Sequence, residues 1–179
     1  MIKLMIDSAS DINKEEADKL GIILLPIEVR FNNEEFLDGV NLYPNKFYKK
    51  LADCKELPKT SQINPFRFEE EFEKATKDGD EVIAIVLSSK LSGTYTSALQ
   101  ASEKFTGKVH VVDSLNACAG ERLLGLYALE LIEKGLSAQE IVDELNCVKS
   151  KIHVLASIDT LKYLKMGGRI SALVAFTGE

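Results

Sequence analysis

Val82-Ile83-Ala84-Ile85-Val86-Leu87-Ser88-Ser89-Lys90-Leu91-Ser92-Gly93-Thr94-Tyr95 begins with an unbroken apolar run and passes directly into a turn rich in hydroxyls. Such a run suits a strand buried on both faces, Val82 to Leu87, and the polar turn opens a helix that continues through Tyr95, Leu99 and Ser102. A helix N-terminus leaves backbone N–H groups unpaired and carries a partial positive charge, and neighbouring Ser and Thr add donors. The turn is therefore a candidate anion pocket, while Ser89 or Ser92 acting as a simple N-cap accounts for the same residues. A second hydroxyl cluster, Pro58-Lys59-Thr60-Ser61-Gln62, is predicted in a loop between two helical patterns. Two such clusters point to a site.

The flanking sequence repeats the strand-then-helix rhythm. Lys3 to Asp7 reads as a short buried strand, Ser8-Ala9-Ser10-Asp11 as a turn with Asp11 as a cap, and Lys14 to Leu20 as a helix stopped by Gly21. Ile22 to Phe31 reads as a second central strand, and Glu34 to Gly39 as a small excursion. Asn45 to Ala52 is a predicted helix with Pro44 in its first turn; Phe66, Phe68, Phe72 and Ala75 mark the next, as core residues or, alternatively, lipid contacts. Lys108 to Val112 is a strand delivering Asp113-Ser114, Ala117 to Lys134 a long apolar helix, and Ser137-Ala138-Gln139-Glu140 a capping box for the helix through Val148. Ile152 to Ile158 reads as a final strand. The alternation predicts an α/β fold, a parallel sheet covered on both faces. Ligands in such folds bind beyond the carboxyl ends of strands, which puts Asp7-Ser8, Ser88-Ser89 and Asp113-Ser114 on one rim.

A chain of 179 residues with 45% hydrophobic content can bury one ordinary core. No apolar run approaches the ~18 residues of a membrane span, and Met1-Ile2-Lys3-Leu4-Met5-Ile6-Asp7 turns acidic before a signal-peptide core could form. The sequence therefore predicts a cytoplasmic protein without stable membrane insertion. Cys54, Cys118 and Cys147 are odd in number and widely spaced, which fits reduced packing residues rather than a disulfide framework or a zinc site. Net charge is −6 with no basic stripe, so nucleic acid is not an expected partner.

The chemistry legible in the chain favours binding. No Gly-x-Ser-x-Gly elbow occurs, and the two histidines, His110 and His153, both fall inside predicted strands. Neither phosphate-loop pattern is present, and Gly167-Gly168-Arg169 is too short to count as one. Asp7 and Asp113 at strand ends leave open a small phosphotransferase or hydrolase, although metal-assisted phosphoryl sites gather more carboxylates. A fragment that only associates with other proteins is the other rival. Neither metal nor cofactor is expected. A pocket of hydroxyls and backbone amides suits a carboxylate with an apolar tail, each buried methylene contributing about 0.8 kcal/mol.

In this order, five segments resemble the DegV family of bacterial fatty-acid-binding proteins, which includes the FakB-type subunits of fatty acid kinase. They are Asp7-Ser8-Ala9-Ser10-Asp11, Thr60-Ser61-Gln62, Leu87 to Tyr95, Val112-Asp113-Ser114, and Leu161 to Ser171 with its Gly-Gly-Arg-Ile-Ser motif. The resemblance implies a three-layer N-terminal domain over 1–150 and the beginning of a second, lipid-closing α/β domain over 151–179, cut off at Glu179. It implies a carrier without chemistry of its own that encloses a fatty acid and presents it to a partner fatty acid kinase. Thr60 and Ser92 would hydrogen-bond the carboxylate, Ser61 and the Gly93 N–H would support them, and Arg169 would face the acyl phosphate or the kinase. A histidine that the family contributes from the later domain has no counterpart in this sequence. Exposed Leu173, Val174 and Phe176 would then fold back on the first domain or pair with a second copy as a homo-oligomer.

Overall fold

The structure is a computed structural model that describes residues 1–54, 56–157 and 159–170. Its main sheet is built from the most apolar segments: β1 (Ile2–Asp7), β2 (Ile23–Leu25), β6 (Glu81–Val86) and β7 (Val109–Asp113), all parallel, in the order β2-β1-β6-β7. A short antiparallel sheet of β3 (Glu28–Phe31), β4 (Glu34–Leu37) and β5 (Lys59–Ser61) has the order β4-β3-β5. The helices are α1 (Lys14–Leu20), α2 (Pro44–Asp53), α3 (Pro65–Thr76), α4 (Thr94–Ser102), α5 (Ala119–Glu133), α6 (Ala138–Val148) and α7 (Lys162–Met166).

Strand periodicity sorts the core into two layers. Leu4, Ile6, Ile83 and Ile85 point to the face covered by α1, α5 and α6. Met5, Val82, Ala84 and Val86 point to the other, where α3 and α4 supply Phe68, Phe72, Ala98 and Ala101. Because both faces are covered, β1 and β6 are apolar at successive positions, as a strand between two helical layers requires. The three-layer α/β architecture expected from the sequence is the one observed. Among the described residues, no helix is long and apolar enough to cross a membrane.

Several expected elements differ. The strand read over Ile22 to Phe31 is two strands in two sheets: Pro26 lacks the N–H a ladder needs, so β2 stays with β1 while β3 leaves to pair with β4. The excursion at Glu34 is β4, closing a two-residue hairpin in which Asn32 takes a left-handed φ of 52°. Thr60 and Ser61 lie on β5 rather than in a loop, paired with Val29 and Glu28. Asn13, not Asp11, caps α1, its side chain accepting from the Glu16 N–H at 3.0 Å. Phe66 is 67% exposed because it sits half a turn from the buried Phe68 and Phe72 stripe. Cys118 and Cys147 are exposed rather than packed.

Residues 152–157 form no strand, so His153 lies in an irregular exposed segment, whereas His110 is on β7 as expected. Ile152 is carried onto the α5–α6 side, where it packs against the cluster that includes Leu124 and Leu145. The expected end of that strand, Ile158, the motif's last residue, Ser171, and the apolar Leu173, Val174 and Phe176 lie outside the described residues.

Candidate functional site

The chain leaves β1 to form β2 on one side of the sheet and leaves β6 to form β7 on the other. The crevice between the carboxyl ends of β1 and β6 is thus a topological switch point, the usual ligand position in an open α/β sheet. Strand-end aspartates brace the loop there. Asp7 is fully buried; its Oδ2 accepts from the Leu87 N–H at 2.7 Å and its Oδ1 from the Ala9 N–H at 2.8 Å. Asp113 Oδ1 accepts from the N–H groups of Ser89, at 3.1 Å, and Leu115, at 3.0 Å. Burial pushes the Asp7 carboxyl up to about 6, against the lowering effect of its two backbone donors, with Asp38 nearby pushing it further up. Both aspartates are engaged in holding backbone, which gives each a structural role at the rim.

On the loop so held, Ser92 and Thr94 face each other. Ser92 Oγ accepts from the Thr94 N–H at 3.2 Å and lies 2.9 Å from Thr94 Oγ1. Thr94 is fully buried, and its Oγ1 accepts from the Ile63 N–H at 3.3 Å. Gln62 Nε2 donates to Ser97 Oγ at 3.1 Å. The residues directly after Thr60-Ser61 therefore dock on the first turn of α4, and the two hydroxyl clusters of the sequence become neighbours in space. Gly93 occupies the N-cap position of α4 and contributes no capping side chain. A Cβ there would lie 1.9 Å from Gln62 Oε1, so glycine leaves the amide its place.

Thr60 and Ser61 are successive residues of a strand and line different cavities. Thr60 opens onto a cavity of about 670 Å³ shared with Phe47, Leu51, Leu57, Met166 and Arg169. Ser61 lines a smaller one of about 220 Å³ with Glu28 and Arg67. Ser92 and Gly93 line neither. The structure thus gathers Thr60 with Arg169, and Gln62-Ile63 with Ser92-Gly93-Thr94, while Ser61 lines the smaller cavity beside Gln62 and Ile63. Arg169 is exposed, its Nη1 donating to the Gly167 carbonyl at 2.5 Å. β5 is an edge strand, so alternate backbone groups beside Thr60 are free of the sheet ladder.

Three polar residues at this rim have no role that the sequence alone assigns. Thr94 and Gln62 stand inside the two hydroxyl clusters, but what they do depends on contacts across 31 and 35 residues, respectively. Glu121 does carry a signal: it precedes Leu124, Ala128 and Leu131 at helical spacing, a charge on the apolar stripe of α5. It is fully buried, and among the described residues neither carboxylate oxygen has a hydrogen-bond partner. Burial pushes its carboxyl well above the usual range, with Asp7, Cys118, Asp11 and Asp113 adding to the shift. Among the described residues, no group of three or more His, Cys, Asp or Glu side chains is arranged to hold a metal ion.

Residues 1–179 match the family model for uncharacterised proteins of the DegV family. The chain belongs to the DegV family. A DegV domain-containing protein of Clostridium perfringens is 37% identical over 98% of this chain, which covers 62% of that relative. A DegV family protein from Thermus thermophilus, whose structure concerns fatty acid binding, superposes with a TM-score of 0.88 at 34% identity over 99% of this chain and 63% of its own. A stearic acid-binding protein from Eubacterium ventriosum superposes with a TM-score of 0.83 at 28% identity over 100% of this chain and 64% of its own. The DegV chain described here therefore spans a little under two thirds of the length of these relatives.

Proposed function

We propose that this DegV-family chain binds a long-chain fatty acid and presents its carboxylate to a partner fatty acid kinase in the cytoplasm, where the acyl phosphate forms. The chain is a carrier and leaves the phosphoryl transfer to the kinase. The observation that carries this reading is the docking of Gln62-Ile63, which follow Thr60-Ser61 along the chain, on the first turn of α4, while Thr60 lines a largely apolar cavity. Fatty acid binding by the Thermus and Eubacterium relatives supports it.

In this reading Thr60 and Ser92 hydrogen-bond the carboxylate, while Ser61 and the Gly93 N–H add donors from the backbone side. The N-terminus of α4, whose N-cap Gly93 brings no side chain, contributes its partial positive charge. Phe47, Leu51 and Leu57 offer the tail an apolar wall, and each methylene they cover contributes about 0.8 kcal/mol. Arg169, exposed at the edge of that cavity, faces the acyl phosphate or the kinase. Residues 1–150 act as the carboxylate-holding unit and 151 onward as the start of the unit that closes over the lipid.

Stearic acid titrated into the protein tests the assignment. A hydrogen bond to a charged group contributes about 1.5–3 kcal/mol, so Ser92→Ala and Thr60→Val are each expected to weaken binding about tenfold or more. Wild-type affinity in both variants would remove the hydroxyl clusters from the site.

A further inference from the structure

The Ser92–Thr94 contact has a direction that follows from burial and donor count. A hydroxyl has one proton to donate and two lone pairs to accept with. Thr94 is fully buried, and among the described residues its Oγ1 has two polar neighbours, the Ile63 N–H at 3.3 Å and Ser92 Oγ at 2.9 Å. If Ser92 donated to Thr94, both Thr94 lone pairs would be filled and the Thr94 proton would be buried without an acceptor, an arrangement that folded proteins avoid. With Thr94 as the donor, every group is satisfied. Ser92 Oγ then accepts twice, from the Thr94 hydroxyl and from the Thr94 N–H at 3.2 Å, and both of its lone pairs are occupied.

We propose that Thr94 is a positioning residue that turns Ser92 into an obligate donor, so that the rim selects a head group able to accept, such as a carboxylate, and rejects one that can only donate, such as an ammonium. The proposal rests on the assignment of Ser92 to the head group and adds to it the polarity of the contact. Ile63 and Gln62 contribute to this polarity. The Ile63 N–H fills the Thr94 lone pair that would otherwise invite the Ser92 proton, and the Gln62–Ser97 bond keeps Ile63 in register. Specificity for charge type is thereby written in the buried side of the site, on residues that need not touch the ligand.

The test compares binding of dodecanoate and dodecylamine, which share a tail and differ in the hydrogen-bonding sense of the head. The wild-type chain is expected to prefer dodecanoate at least tenfold. Thr94→Val, which removes the donor, is expected to lose most of that preference by weakening dodecanoate binding about tenfold, and Thr94→Ser, which restores it, to recover affinity to within about twofold. Thermal melts of each variant report whether the fold is kept. Wild-type preference in a folded Thr94→Val, with Ser92→Ala still weakened, would overturn the inference and leave the carboxylate site standing. Loss of affinity in Thr94→Ser equal to that in Thr94→Val would assign Thr94 a purely packing role. Unchanged binding in Ser92→Ala would instead overturn the underlying site. Should Thr94→Val fail to fold, the wild-type comparison decides alone: equal binding of the amine contradicts the proposal.

Discussion

Asp7→Ala is expected to lower the stability of the chain by about 2–4 kcal/mol at neutral pH, measured as a shift in urea midpoint. The fully buried side chain accepts from two backbone donors, Leu87 and Ala9. Each buried N–H left without an acceptor costs about 1–3 kcal/mol, and relief from burying the carboxylate offsets part of that sum. The Asp7–Leu87 bond crosses 80 residues and ties β1 to the loop that carries Ser92. The same variant is therefore expected to weaken fatty acid binding even at temperatures where it stays folded. A phosphotransferase built on Asp7 would show a different pattern, with stability unmoved and turnover abolished.

Glu121→Gln is expected to act in the opposite direction and raise stability at pH 8, because the amide carries no charge into a site that disfavours the ionised carboxylate. Among the described residues neither Glu121 oxygen is hydrogen-bonded, and burial, with Asp7, Cys118, Asp11 and Asp113 beside it, disfavours its ionisation. The sign with pH follows from linkage. A carboxyl whose folded-state value is raised contributes stability that is fully present below its unfolded value and is lost as pH rises through the folded one. Glu121 meets that condition, and so does Asp7, raised from 3.8 to about 6. The contribution of Asp7 is therefore lost across the interval from about pH 4 to pH 6, and that of Glu121 continues to decline above its ordinary range. Stability curves in urea from pH 5 to pH 8 are expected to fall for the wild-type chain and, above about pH 6 where the Asp7 contribution is spent, to flatten in Glu121→Gln. A variant with the wild-type slope would show that another group carries the pH dependence.

The layered fold was legible because burial on both faces leaves a continuous apolar run, and Leu4 to Ile6 and Val82 to Val86 are such runs. The Ser137–Glu140 capping box was legible because its partners are local, and both of its hydrogen bonds form. Strand-end polar residues on one rim followed from parallel pairing, with Val86 opposite Asp113.

What stayed hidden depends on distant partners. β5 is three residues long with every side chain exposed, so nothing in Lys59-Thr60-Ser61 itself announces a strand; its pairing with Val29 and Arg30 makes it one. The role of Thr94 depends on Ile63, and that of Gln62 on Ser97. Ile152 to Ser157 has strand-forming composition, but the packing of Ile152 on the α5–α6 cluster carries the segment into irregular structure. Pro26 is a local signal of the break between β2 and β3, and it separates the sheet that positions Asp7 from the sheet that positions Thr60.

Native mass spectrometry of the purified chain, followed by denaturing extraction of whatever it holds, tests fatty acid carriage most directly. The expected result is one fatty acid per chain, or stoichiometric uptake of added stearic acid when the chain is isolated empty. A chain that is empty and takes up none would contradict the proposal that these residues form a working lipid site.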